Sequence, residues 1–76
     1  MSFFVDGYKR TINGFEVNNV KNYADSKKYM VIKMIDGEWW FEAADDNAET
    51  VGNIVSALNR LGIRAAVIKN MKEQTA

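Results

Sequence analysis

The dipeptide Asp36-Gly37 stands between two alternating segments, residues 29–35 and 38–44, and restricts this chain more than any other feature. Asp-Gly suits the two-residue type I′ turn, whose positive φ angles match the twist of the strands it joins. In that register Met34 faces Trp39, Ile32 faces Phe41 and Met30 faces Ala43, so one face of the hairpin is apolar throughout. Side chains alternate along a strand, and a slip of one residue would turn the whole apolar set outward. A hairpin with Met30, Ile32, Met34, Trp39 and Phe41 facing a core is therefore expected.

Downstream, Asp46 followed by Glu49 resembles a capping box, and Val51, Ile54, Val55, Leu58 and Leu61 fall on one stripe at helical spacing. Gly62 supplies the left-handed stop. The spacing predicts a helix over 47–61 and then a last strand over 63–69, with Ile63, Ala65 and Val67 beneath the helix. Upstream, Asn13-Gly14 is a second hairpin signal that pairs Ile12 with Phe15 and Arg10 with Val17. Asp6-Gly7 is a third turn candidate, between Phe3-Phe4-Val5 and Tyr8. The predicted fold is one α+β domain spanning 1–76, an antiparallel meander of hairpins packed against one main helix with a C-terminal strand. Val17, Val20, Tyr23 and Ala24 also fit one face of a short helix, and that parse gives the alternative order βαββαβ, ferredoxin-like. Residues 70–76 are polar and read as a frayed tail. Gly52 is a misfit inside the helix. With Ser56 it makes a small-residue strip, read either as a groove for a second helix or as a mark of close approach to the sheet or a tolerated cost.

Composition narrows function by exclusion. A chain of 76 residues buries only about 60% of its unfolded surface, which leaves room for one core. It has no cysteine and no histidine. That removes disulfides, thiolate metal sites, a cysteine nucleophile and the commonest general base. No run approaches the ~20 apolar residues of a membrane span, and Asp6, Lys9 and Arg10 interrupt the start, so a cytoplasmic location is expected. Net charge is zero, yet residues 36–50 hold Asp36, Glu38, Glu42, Asp45, Asp46 and Glu49 with no base. Such segregation can orient a partner, although helix-start acids also serve as caps.

The hairpin face opposite the core carries Tyr29, Val31, Lys33 and Ile35 on one strand and Glu38, Trp40, Glu42 and Ala44 on the other. A solvated face normally turns polar, so this mixture is the candidate functional surface. Lys33 lies opposite Trp40 and can pack over its indole. The N-terminal strands, a second copy of the chain or a foreign partner could cover this face. The acids at Glu42, Asp45, Asp46 and Glu49 lack the alternation and glycine of a calcium loop, so neither metal nor cofactor is expected. The expected function is a small non-enzymatic protein-binding module, an adaptor or inhibitor of a larger protein, acting as a monomer or a homodimer. Trp40, Tyr29 and Val31 would be its anchors, and Glu38, Glu42 and Asp45 would select a basic partner. The alternative is single-stranded nucleic-acid binding, with bases stacked on Tyr29, Trp40, Phe3, Phe4 and Tyr8 and phosphates met by Lys9, Arg10, Lys27, Lys28 and Lys33. Glu38 and Glu42 stand on the face such a backbone would approach.

Overall fold

The structure, a computed structural model, describes residues 7–69. The expected polar tail and the segment before Gly7, including the Asp6-Gly7 turn, lie outside the described residues. The order is β1 (Gly7–Ile12), β2 (Phe15–Lys21), a short 3-10 helix (Asn22–Ser26), β3 (Tyr29–Ile35), β4 (Glu38–Asp45), α1 (Ala48–Arg60) and β5 (Ala65–Lys69). The fold is α+β: one mixed five-stranded sheet, ordered β1-β2-β4-β3-β5, with one main helix packed on it. All neighbouring strands are antiparallel except β2 and β4, which run parallel over Val17–Trp39 and Asn18–Trp40.

Both short turns form where the dipeptides place them. Asn13 and Gly14 have φ of 50° and 85°, and Asp36 and Gly37 have 52° and 80°, the positive pair a type I′ turn needs. Ile12 faces Phe15 and Arg10 faces Val17, and Met34–Trp39 and Ile32–Phe41 hold as expected. Met30, however, faces Ala44 instead of Ala43. The register shifts because Glu42 is an extra residue on β4, a β-bulge. A second bulge lies on β2, where Asn18 and Asn19 together oppose Lys9 and Asn19 takes φ 61°.

The bulges change which side chains share a face. Val17 and Val20, three residues apart, both point into one core, as do Phe41 and Ala44. A spacing of three imitates a helix, which explains the βαββαβ alternative. The chain stays a strand through Lys21, and only Asn22–Ser26 coils. Bulged strands bend and twist more strongly. Here the sheet curls until Asn13 Nδ2 donates to the Lys69 carbonyl at 3.1 Å, although β1 and β5 are opposite edges.

Curling decides where the helix sits. On the concave side Met30, Ile32, Phe41 and Ile68 meet Ile12, Val17 and Val20 from the first hairpin and Ala24 from the 3-10 helix. The sheet has thereby covered its own methionine face. The helix packs on the opposite, convex face, with Val51, Leu58, Ile54 and Val55 against Val31, Tyr29, Ala65 and Ile63. This corrects the expectation of a single core shared by the helix and Met30, Ile32 and Phe41. Met30, Val31 and Ile32 are consecutive and all buried, the continuous apolar run of a strand covered on both faces.

Asn47, and not Asp46, caps the helix. Its Oδ1 accepts from the amides of Glu49 and Thr50 at 2.8 and 3.1 Å, while Asp46 Oδ1 accepts from the Lys28 amide at 2.8 Å and ties the start of β3 to the end of β4. At the other end Gly62, φ 80°, completes a Schellman motif: its amide donates to the Asn59 carbonyl and that of Ile63 to the Leu58 carbonyl, both at 3.0 Å. Ile63 and Leu58 also pack together. Leu61, expected in the core, follows the last helical residue and is 76% exposed. Val67, also expected inside, is 43% exposed on β5.

Gly52 points into open space with nothing within 4 Å of where a Cβ would be. Close approach to the sheet does not account for it. Gly52→Ala is therefore expected to stabilise the domain by about 0.5 to 1 kcal/mol, through helix propensity and a less flexible unfolded chain. Urea midpoints of the two proteins check this, and an unchanged or lower midpoint would count against an open helix flank.

Candidate functional site

The predicted contact surface divides at the edge of the helix. Val31 is fully buried under α1, and Tyr29 packs on the same cluster, so neither is an exposed anchor. Asp45 is occupied locally, its Oδ1 accepting from the Asn47 amide at 2.8 Å. It stands level with Tyr29, at the other end of the hairpin from the turn.

Lys33, Glu38, Trp40 and Glu42 remain together on the convex face of β3 and β4. Lys33 faces Trp40 across the ladder as expected. The expected stacking is replaced by an ion pair, because the bulge brings Glu42 within reach and Lys33 Nζ lies 2.7 Å from its Oε1. Such a partly exposed pair contributes at most about 1 kcal/mol to stability. Asn18, on β2, donates through Nδ2 to Glu38 Oε1 and to the Trp39 carbonyl, each at 3.0 Å. Trp40 is half-buried among these groups, outside the cluster beneath the helix. At the same end of the molecule, where the Met34 amide meets the Arg64 carbonyl at 2.8 Å, Ile35 is 42% exposed, and Leu61 protrudes at the foot of the helix. The patch thus has a tryptophan, two exposed aliphatics and charges already paired with one another.

Trp39, its neighbour in sequence, faces the other way. Its ring meets Phe15 edge-on at a centroid distance of 5.6 Å, and the Arg64 guanidinium lies 5.9 Å from its centroid. The second-hairpin register therefore separates the two tryptophans onto opposite faces.

A constellation that sequence reading missed lies on the concave side. Tyr8 faces Val20 across β1–β2, and its hydroxyl donates to Asp25 Oδ2 at 3.2 Å. Arg10 Nη1 donates to Asp25 Oδ1 and to the Tyr8 hydroxyl. The hydrogen bond to Asp25 raises the Arg10 pKa above its usual value, with the Asp25 charge adding to the effect against desolvation. The arrangement straps the 3-10 helix to β1 across the concave core, where Ala24 is buried and Tyr23 meets Phe41 edge-on at 5.9 Å. Among the described residues no cleft opens beside it. No signal in one sequence connects residues 8, 10 and 25, because the contact depends on the β2 bulge.

In the nucleic-acid reading, two of the five platform aromatics are separated from Trp40. Tyr29 is under the helix and Tyr8 is on the concave face, away from Trp40. Lys9 lies 3.7 Å from Glu16, Arg10 is held by Asp25 and Lys33 by Glu42. Phe3 and Phe4 lie outside the described residues. Among the described residues no group of three acids could hold a metal ion, no buried side-chain polar atom lacks a hydrogen-bond partner, and no helix is long and apolar enough to cross a membrane. No known protein family, curated protein sequence or solved structure matches this chain.

Proposed function

We propose that this chain is a non-enzymatic protein-binding module that engages its partner through the convex patch centred on Trp40. The observation that carries this reading is the half-buried indole on the part of the sheet face that α1 leaves uncovered. A tryptophan in that position offers a large apolar area at small cost in side-chain entropy, the character of an interface anchor. Ile35 and Leu61 extend the apolar surface at the same end, in the places that Tyr29 and Val31 were expected to fill. Lys33 and Glu42 neutralise one another, so Glu38, with Asn18 beside it, is the rim group that favours a basic contact. Binding is then by shape, with charge setting orientation more than affinity.

The reading over nucleic acid rests on those same pairs, since binding to a phosphate backbone strengthens with the number of phosphates that cations neutralise. The test is capture from host lysate by the wild-type chain and by Trp40→Ala, with protein and nucleic acid in both eluates identified. A protein retained by the first and reduced at least about tenfold with the second, the loss typical of an interface anchor, supports the proposal, provided Trp40→Ala keeps its far-UV spectrum. Equal capture by both would remove Trp40 as the anchor. Salt-sensitive recovery of oligonucleotide instead of protein would move the assignment to nucleic acid.

A further inference from the structure

We propose that β5 pairs with β5 of a second copy about a two-fold axis at Val67, joining two sheets into one. This goes beyond the Trp40 patch and uses a different surface.

The argument begins with which backbone groups of β5 are turned outward. The Met34 amide donates to the Arg64 carbonyl, and these two residues continue the register in which Lys33 faces Ala65 and Ile32 faces Ala66. Bonded and non-bonded pairs alternate in an antiparallel ladder, so Ala66 and Ile68 are bonded to β3. The amides and carbonyls of Ala65, Val67 and Lys69 therefore point away from it. The Lys69 carbonyl does accept on that side, from Asn13. Among the described residues no strand lies beyond β5 in the sheet.

The two sheet edges differ in how they are defended. β1 carries Lys9 and Arg10 and faces a bulge, features that discourage further pairing. β5 has Ala65, Ala66, Val67 and Ile68 in succession, with its single charge at the end, on Lys69, and neither proline nor bulge. Val67 is nearly half exposed there.

A second copy fits this edge by register and charge. With Val67 opposite Val67, Ala65 faces the partner's Lys69 and Ala66 faces the partner's Ile68, so neither Lys69 meets a like charge. Each outward amide then meets an outward carbonyl, the Lys69 carbonyl accepting from the partner's Ala65 amide in addition to Asn13. α1 begins beside the end of β4 and leads back to the start of β5, so the two helices become antiparallel across the axis. The Arg60 end of one adjoins the Glu49 end of the other, and their dipoles oppose. A right-handed crossover from β4 to β5, the sense such connections take, turns the flank bearing Ala48, Gly52 and Asn59 toward this edge. The open space at Gly52 leaves room for the second helix.

Sedimentation equilibrium across a range of concentrations tests the pairing. The wild-type chain is expected to approach twice the 8.6 kDa of one copy. Val67→Lys puts like charges directly opposite and is expected to weaken association about tenfold or more, as is Val67→Glu, while an equimolar mixture of the two regains the dimer. A wild-type chain that stays monomeric, or a Val67→Lys dimer as tight as wild type, overturns the proposal. Hydrogen exchange on the wild-type chain decides the matter even where these variants fail to fold. Slower exchange of the Ala65, Val67 and Lys69 amides with rising concentration supports self-pairing. Concentration-independent exchange overturns it, and so does slowing seen only when a different polypeptide is added, which assigns the edge to a foreign strand.

Discussion

Val31→Asp is expected to leave the chain unfolded in buffer at room temperature, whereas Ile35→Asp, on the same strand and the same face, is expected to leave it folded. Val31 has no exposed surface and lies between the sheet and Val51 and Leu58 of the helix. An unpaired carboxylate there costs several kcal/mol, to which the lost valine adds about 1.5 to 3 kcal/mol. A domain of this length holds roughly 4 to 11 kcal/mol in all, so the substitution consumes most or all of it. Ile35 is 42% exposed beyond the reach of the helix, and an aspartate there remains solvated. Far-UV circular dichroism separates the two outcomes, and Val31→Ala, expected to lower stability by about 1 to 3 kcal/mol in urea, supplies a measurable value. A folded Val31→Asp protein would place the helix on the methionine face and make Val31 a surface residue after all.

That contrast also marks how far the sequence could be read. Both hairpin turns, most of the β3–β4 register and the span of the helix follow from local chemistry: Asn-Gly and Asp-Gly need positive φ, and Gly62 ends a periodic stripe. Choosing the face that receives the helix requires a non-local fact. β3 is apolar on both faces, with Met30 and Ile32 on one and Val31 on the other, so alternation alone cannot rank them. The decision falls to the bulges at Asn18-Asn19 and Glu42, which curl the sheet over its own methionine face. Their trace in the sequence is the repeated spacing of three, Val17 to Val20 and Phe41 to Ala44, which a period-of-two reading takes for helix or misses. The same displacement divided the candidate surface. Lys33, Glu38 and Trp40 were legible because they depend on the hairpin alone, whereas Glu42 reaches Lys33 through the bulge. Tyr29 and Val31 lay on the correct face but under an element whose position was not local. Leu61 fits the apolar stripe by spacing, yet it falls after the last helical turn, where the chain is already swinging toward Gly62.

Gly7→Ala is expected to destabilise the domain by about 2 to 3 kcal/mol, the cost of overpacking a site that can yield only by moving backbone. A Cβ at residue 7 would meet Asn19 Oδ1 at 2.0 Å and the Asn19 backbone carbon at 2.9 Å. The side-chain oxygen can rotate away, but the carbon belongs to the bulge itself, where Asn19 holds φ 61°. Relief therefore requires β1 and β2 to separate at the bulge or the bulge to flatten. Flattening would put Val20 out of phase with Val17 and remove a buried side chain from the concave core. Separation would draw Tyr8 and Arg10 away from Asp25 and loosen the strap over Ala24. Asn19→Gly, which suits the positive φ, is expected to be nearly neutral alone and to recover part of the loss in the double variant, because it removes the nearer contact and leaves the backbone one. A double-mutant cycle in urea measures this coupling, expected at about 1 kcal/mol. If Gly7→Ala matches wild type, β1 does not lie against Asn19. The bulge that sets the curl of the sheet, and with it the face left open for Trp40, would then have to be placed elsewhere.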